Sequence, residues 1–191
     1  MIYKGSDKIE DLYFGGEKIS EAYYGSELVY SSSSPGGIIF ESDVAGTYEI
    51  TTTRTRIVHV DIVGGGGGGA DSTGSHAVGG QAGYISGTIE LPAGTYTIVV
   101  GSPGVGARNA SGSDGGSSSF FGNTAGGGGG SIYNAFIVVP GAGGTCTVVT
   151  TGLEGQNGSS GSTSGWINGY GAGTTGGGAI AGKGYVKIEV S

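Results

Sequence analysis

The chain has 191 residues, of which 47 are glycine, 36% are apolar and only 12% are charged. Its formal net charge of −7 and its scattered lysines and arginines argue against nucleic acid or an anionic membrane surface as a partner. The glycines keep no three-residue period, which excludes collagen, and the many tyrosines and β-branched residues argue against plain disorder. The single cysteine, Cys146, allows no internal disulfide, and we expect neither a metal nor a cofactor.

The first 30 residues contain three ungapped copies of a ten-residue repeat. Gly-Ser or Gly-Gly pairs recur at 5–6, 15–16 and 25–26, where tight turns need a positive φ that glycine adopts at no steric cost. The pattern predicts a small β-meander at 1–30 and a flexible linker at 31–37. Because a few short strands bury little surface, we expect this unit to dock or oligomerise through its repeated positions. These positions are Tyr3, Tyr13, Tyr23, Ile9, Ile19 and Val29.

From residue 38 to residue 191 the sequence predicts an all-β, β-sandwich-like domain, because no segment of helix length shows a 3.6-residue period. Pro92-Ala93-Gly94 predicts a hairpin turn between two of its strands. Phe120, Phe121, Phe136 and Cys146 lie in strand-like runs and are expected in the core. The predicted strands are 38–41, 46–51, 56–63, 84–91, 96–100, 117–121, 135–139, 146–150 and 185–190.

Glycine runs separate these strands, for example at 64–69, 126–130 and 176–178. Each glycine in a folded segment costs roughly 0.5–1 kcal/mol relative to alanine, so the missing Cβ must serve a purpose. Six glycines in the extended polyglycine II helix, with three residues per turn, would span ~19 Å and could hydrogen-bond to neighbouring glycine helices. The alternative is that these runs are mobile surface loops.

Aromatic residues within the glycine-rich loops are the candidates for ligand binding. They are Trp166, Tyr170 and Tyr133, with the amides of Asn157, Asn168 and Asn134 nearby in the sequence. Rigid rings among small polar residues are typical of antibody paratopes, and the same rings can stack on sugars. The alternative for Trp166 is that it packs over the glycine segments as a lid.

Catalytic patterns are weak, and we expect no enzyme. The segment 177–183 has the spacing of a phosphate-binding loop, but Gly184 stands where Ser or Thr should bind magnesium, and a strand follows instead of a helix. His59 alternates with Val58 and Val60 on a predicted strand and is expected to be structural. His76 lies near Asp71 in the sequence, and a metal-binding or catalytic role is the less favoured interpretation for it.

The order of the glycine motifs resembles the glycine-rich domain of bacteriophage tail-fibre and tail-tip proteins. The motifs that carry it are Val63 followed by the run 64–69, GGQAGY at 79–84, LPAG at 91–94, GGSSSF at 115–120, the run 126–130 and GYVKIEV at 184–190. The N-terminal repeat is similar to short repeats of phage structural proteins. No apolar leader follows Met1, so we expect synthesis in a host cytoplasm without a secretory signal.

The resemblance implies a virion component that is commonly trimeric. Its N-terminal repeat would dock to other virion proteins, and its glycine-rich domain would display loops that attach to a host-surface polysaccharide or protein. We expect no membrane insertion, because no apolar run reaches the length of a span. The alternative function is a structural capsid decoration or head-fibre protein without a specific receptor.

Overall fold

The computed structural model describes residues 37–73, 75–134 and 137–191, together with the backbone of short strands within the first 31 residues. The chain divides into two compact units, Met1–Gly37 and Ile38–Ser191. In the described part of the chain almost all regular structure is β-strand, so the prediction of an all-β fold is confirmed. No helix in that part is long and apolar enough to cross a bilayer.

The N-terminal unit contains antiparallel pairs of short strands, one pair in each copy of the repeat. Each pair encloses one of the predicted turn positions. The turn residues themselves, Ile9 and residues 32–36 of the predicted linker lie outside the described residues. The strands are β1 (Tyr3–Lys4), β2 (Asp7–Lys8), β3 (Leu12–Phe14), β4 (Glu17–Ile19), β5 (Glu21–Tyr24) and β6 (Glu27–Ser31).

The larger unit holds the remaining strands, and three of them have the predicted bounds, at 56–63, 84–91 and 185–190. Their sequences alternate or run apolar over a strand's length between glycines, which makes them easy to predict. The strands are β7 (Ile38–Ser42), β8 (Gly46–Thr52), β9 (Arg56–Val63), β10 (Ala70–Ser72), β11 (Ser75–Ala77), β12 (Tyr84–Leu91), β13 (Gly94–Val100), β14 (Ala107–Arg108), β15 (Ser118–Phe120), β16 (Asn123–Ala125), β17 (Ile132–Asn134), β18 (Ile137–Val139), β19 (Cys146–Thr147), β20 (Leu153–Gln156) and β21 (Tyr185–Val190).

Two five-stranded antiparallel sheets form the body of this unit. Sheet I has the order β20-β12-β9-β21-β7, and sheet II has the order β19-β16-β15-β13-β8. Their facing sides share one hydrophobic core, to which sheet I contributes Val60, Ile62 and Ile85 and sheet II contributes Ile98 and Phe120, all at most 1% exposed. The two sheets therefore pack face to face as a sandwich, and neither closes into a barrel.

The described residues among the four that the sequence predicts in the core differ in how deeply they are buried. Phe120 is buried in the core, as predicted. Phe121 and Cys146 are half-buried and pack against it, and burial raises the pKa of the Cys146 thiol above its ordinary value of 9.0. Phe136 and Ala135 lie outside the described residues.

The prediction of a hairpin at Pro92-Ala93-Gly94 is wrong. β12 pairs with β9 and β20 in sheet I, whereas β13 pairs with β8 and β15 in sheet II. The turn therefore carries the chain from one sheet to the other. Sequence pattern identifies a tight turn, but it does not tell whether the flanking strands pair with each other or with more distant partners.

The glycine-rich segments form a bundle in which main chain packs against main chain. Along the run 64–69 the hydrogen-bond partners repeat every third residue: the N–H groups of Gly64 and Gly67 donate to the carbonyls of Gly83 and Gly80, at 3.2 and 2.9 Å. A three-residue repeat of partners is the signature of the polyglycine II helix, whose polar groups point outward in three directions. The segments that hydrogen-bond to this run are 79–83, 101–107, 112–116, 126–131, 171–175 and 179–184.

The run 64–69 is the centre of this bundle, since six other segments surround it and each of its residues is buried. A Cβ on Gly66 would overlap the carbonyl of Ala172, and one on Gly80 would overlap the carbonyl of Ala142. The backbones approach too closely for any side chain. The alternative of mobile surface loops is therefore wrong for this run, and "glycine bundle" below means these seven segments.

Candidate functional site

The outward face of sheet I carries a cluster of polar and aromatic side chains. Val58, Val60 and Ile62 of β9 point into the core, so the alternation of the strand directs His59 and Asp61 to the opposite face. The cross-strand register then places their neighbours, because directly opposed residues share a face. One row, which we call the polar row, consists of Glu154, Ser86, Asp61, Lys187 and Glu41.

Asp61 is the centre of the polar row. Its carboxylate Oδ1 accepts hydrogen bonds from the Tyr84 hydroxyl at 2.7 Å and from Ser86 Oγ at 2.8 Å. His59 Nε2 lies 3.6 Å from the other carboxylate oxygen. The Asp61 side chain is only 10% exposed. Burial of a polar group costs free energy unless it is hydrogen-bonded, and these partners offset that cost. Burial, with a smaller effect from Asp61, raises the pKa of Tyr84 above its ordinary value of 10.0.

A second phenol, which is buried, extends the cluster across β21. Tyr185, which is 5% exposed, donates its hydroxyl proton to Glu41 Oε1 at 2.7 Å. Burial and this carboxylate raise the pKa of Tyr185 well above its ordinary value of 10.0. Lys187 Nζ lies 2.6 Å from Glu189 Oε2 on the same strand face, and the hydrogen bond raises the pKa of the lysine above 10.5.

The turn at 166–170 lies over two of these aromatic rings. Trp166 packs on Tyr84, with ring centroids 5.3 Å apart, and Tyr170 stacks on Tyr185 at 4.4 Å with the planes 7° apart. The turn is closed by a hydrogen bond from the Trp166 N–H to the Tyr170 carbonyl at 2.9 Å. Trp166 Nε1 also donates to the carbonyl of Ala82 in the glycine bundle at 2.7 Å. We call these four rings the aromatic ledge.

Three of the predicted binding residues come together in this turn. Trp166 and Tyr170 are half-buried, and Asn168 is exposed between them with a φ of 51°, a left-handed conformation that asparagine tolerates. Tyr133 and Asn157 lie elsewhere. Tyr133 belongs to the two-stranded β17–β18 sheet, and Asn157 uses its Oδ1 to accept the backbone N–H of Cys146 at 2.8 Å.

Trp166 contacts both sheet I and the glycine bundle. This is the position expected for a lid, which the sequence analysis gave as the alternative to a binding role. The ring is only partly buried, so part of its surface stays accessible to a ligand. Of the predicted docking residues, Tyr3, Tyr13, Tyr23, Ile19 and Val29 lie on described strands of the N-terminal unit, where only the backbone is described. Their role in docking stays a prediction.

The two histidines have different surroundings. His59 contacts Ser86 Oγ at 3.3 Å and Thr88 Oγ1 at 3.4 Å on the outward face of sheet I. His76 faces Asp71 across the β10–β11 pair, with Nδ1 2.7 Å from Oδ1. Within the described ranges no group of three or more His, Cys, Asp and Glu side chains is arranged to hold a metal ion.

Sequence reasoning did not identify the polar row or the two underlying tyrosines. Alternation on β9 places His59 and Asp61 on one face, and that signal is present in the sequence. The pairing of β9 with both β12 and β21 is a tertiary property, because these strands are far apart in the chain. Only this pairing brings Ser86 and Lys187 beside Asp61, and the further pairing of β21 with β7 places Glu41 next to Lys187.

The fold and the bundle together define a class of protein, a β-sandwich whose interstrand segments form a polyglycine II bundle. The family model for the glycine-rich domain matches residues 42–189. The chain therefore belongs to the glycine-rich domain family. A search of curated proteins returns no significant match.

Proposed function

We propose that this protein is a structural appendage of a bacteriophage particle, such as a tail fibre or tail tip, whose glycine-rich domain attaches to the host surface. One observation carries the proposal: the glycine bundle is held by main-chain hydrogen bonds around a fully buried centre. A body of this kind is stiff, and it supports loops without side-chain packing beneath them. The ordered glycine motifs that resemble phage tail-fibre domains agree with this role.

The N-terminal unit is the proposed attachment to the particle. Its strands pair two by two and supply little surface for a core of their own. We propose that the repeated tyrosine and aliphatic positions dock on other virion proteins or on the equivalent segments of two further copies in a homotrimer. The protein would then be synthesised in the host cytoplasm and reside in the virion.

Deletion of residues 1–30 tests the docking role. The shortened protein should not be incorporated into particles, whereas its melting temperature should stay close to that of the full chain, because the sandwich core lies within Ile38–Ser191. Incorporation is measured by immunoblotting of purified particles. A shortened protein that enters particles at the normal level would refute the docking role.

Binding of the purified protein to host cells tests the attachment role. Trp166→Ala should reduce binding, whereas Thr97→Ala, at an exposed position of sheet II, should not. Equal, negligible binding by all three proteins would favour the alternative of a capsid decoration without a receptor. The bonds that Trp166 and Asn157 make to the protein's own backbone favour that alternative. Breakdown of host polysaccharide in the same assay would instead indicate an enzyme.

A further inference from the structure

We propose that the aromatic ledge and the polar row of sheet I together bind a neutral, extended oligosaccharide. This names the ligand class for the attachment role, and it rests on the proposed function only for its biological meaning. The two sets of side chains offer what a sugar chain requires. Rings stack on its apolar faces, and carboxylates and hydroxyls beside them bond to its hydroxyl groups.

The spacing of the rings provides two stacking positions along one line. Tyr84 and Tyr185 both lie opposite Val63 in the register, on the strands to either side of β9. Strands in a sheet are ~4.8 Å apart, so the two tyrosines are ~10 Å apart. Trp166 and Tyr170 cover one tyrosine each and are both partly exposed. The line therefore suits a chain of sugar rings laid across the strands.

The polar row runs parallel to this line. It is displaced by two residues along each strand, which is ~7 Å. Glu41 is exposed, and Ser86 and Lys187 are half-exposed. A sugar stacked on Trp166 and Tyr170 would direct hydroxyl groups towards these side chains. The exposed carboxylate of Glu41 can accept hydroxyl protons, and the ammonium of Lys187 can donate to hydroxyl oxygens.

Charge argues against an anionic sugar as the ligand. The outward face of sheet I carries Glu41, Asp61, Glu154 and Glu189 but only one lysine, Lys187. The whole chain has a formal charge of −7. A polysaccharide rich in carboxylates or phosphates would be repelled by this face, so we expect weak or undetectable binding of anionic sugars.

The ledge is also preorganised. The turn is closed by its own backbone hydrogen bonds, and Trp166 Nε1 is fixed to Ala82. Tyr170 is fixed by its stacking on Tyr185. Side chains that are ordered before the ligand arrives lose little conformational entropy on binding, which strengthens a contact of modest area.

Intrinsic fluorescence provides a direct assay, because Trp166 is the only tryptophan in the chain. The full-length protein is titrated with maltohexaose, cellohexaose and chitohexaose, and separately with an oligogalacturonate of similar length. A saturable fluorescence change with at least one neutral hexaose, and a clearly smaller one with the oligogalacturonate, is the expected result. No change with any neutral hexaose up to about 10 mM, where even millimolar affinity saturates, would overturn the proposal. A preference for the anionic sugar would also overturn it.

Variants separate binding from folding. Tyr170→Ala should weaken the affinity about fivefold, whereas Tyr170→Phe, which keeps the ring, should bind like the wild type. Thr97→Ala, at an exposed position of β13 in sheet II, should not change the affinity. If Tyr170→Ala lowers the melting temperature without changing the affinity, Tyr170 is a structural residue and the ledge is not the site. Binding of sugar by a protein that never enters particles would leave this inference standing and refute only the virion role.

Discussion

At the scale of single residues, the glycines matter because they have no Cβ. Gly66 lies against the carbonyl of Ala172, and a Cβ at that position would overlap backbone on a neighbouring segment. Backbone cannot move aside as a flexible side chain can, since each segment also hydrogen-bonds to others. The requirement for glycine here is steric and comes from tertiary contact.

Gly66→Ala should lower the free energy of unfolding by more than about 3 kcal/mol, because the added methyl group forces two segments apart and breaks main-chain hydrogen bonds. Gly37→Ala is the matched control, since nothing lies within 4 Å of a Cβ there. It should change stability by less than about 0.5 kcal/mol. Urea denaturation measures both. Equal stabilities of the two variants would show that the segments do not pack this closely.

Tyr185 makes stability depend on pH at the alkaline end. Its pKa is raised in the folded protein, so its contribution is complete below its ordinary pKa of 10.0 and is lost as the pH rises above that value. Tyr185→Phe should be about 1.5 kcal/mol less stable than the wild type at neutral pH, because it lacks the hydrogen bond to Glu41.

The difference between these two proteins should shrink at about pH 11, where the unfolded tyrosine of the wild type ionises. Denaturant unfolding of both proteins at neutral and alkaline pH provides the measurement. A difference that stays constant or grows over this range contradicts the raised pKa.

At the scale of elements, Ser118 joins the ends of three strands. It is fully buried at the start of β15, where its Oγ accepts the Gly101 N–H at 2.9 Å and donates to the Val63 carbonyl at 2.6 Å. Val63 ends β9 of sheet I, and Gly101 follows β13 of sheet II. One hydroxyl group therefore connects the two sheets at the edge where the glycine bundle begins.

Ser118→Ala should cost about 3 kcal/mol of stability, because a buried donor and a buried acceptor would both lose their partner. Ser119→Ala, half-buried on the opposite side of the same strand, should cost less than about 0.5 kcal/mol. Thermal melts of the two variants compare them directly. Similar melting temperatures would mean that water replaces the hydroxyl group and that the sheets do not depend on it.

The elements themselves were partly predictable. β9, β12 and β21 are six to eight residues long and contain several β-branched residues, and the sequence predicts their bounds. The sequence did not predict β16 and β20, which have three and four residues and contain asparagine or glycine, because such short runs carry no periodic signal. The sequence identified the turn after β12, but not that the two strands on either side of it pair in different sheets.

At the scale of the whole larger unit, two kinds of interior lie next to each other. The sandwich is held by apolar side chains, and the bundle is held by hydrogen bonds between backbones with almost no side chains present. Burial of apolar surface stabilises the first, whereas in the second the satisfied main chain must offset the large conformational entropy of glycine. The bundle is therefore ordered only while its segments stay together.

Amide hydrogen exchange tests this cooperative order. The N–H groups of residues 64–68 all bond to other segments, at 2.8 to 3.2 Å, and should exchange as slowly as those of β9 in the core. The exposed Gly178 provides the fast reference. Fast exchange throughout 64–68 would show that the bundle opens independently of the sandwich, and the attachment role would lose its rigid support.

The sequence by itself determined the all-β class, the bounds of the strongest strands and the tendency of the glycine runs towards an extended backbone, because these follow from local pattern and from the missing Cβ. It also singled out the turn with Trp166 and Tyr170. Only the tertiary structure decided that the run at 64–69 is the buried centre of a bundle and that Asp61 lies between Ser86 and Lys187. Both results depend on which distant segments come into contact, and glycine, which has no side chain, gives the sequence no means of specifying its partners.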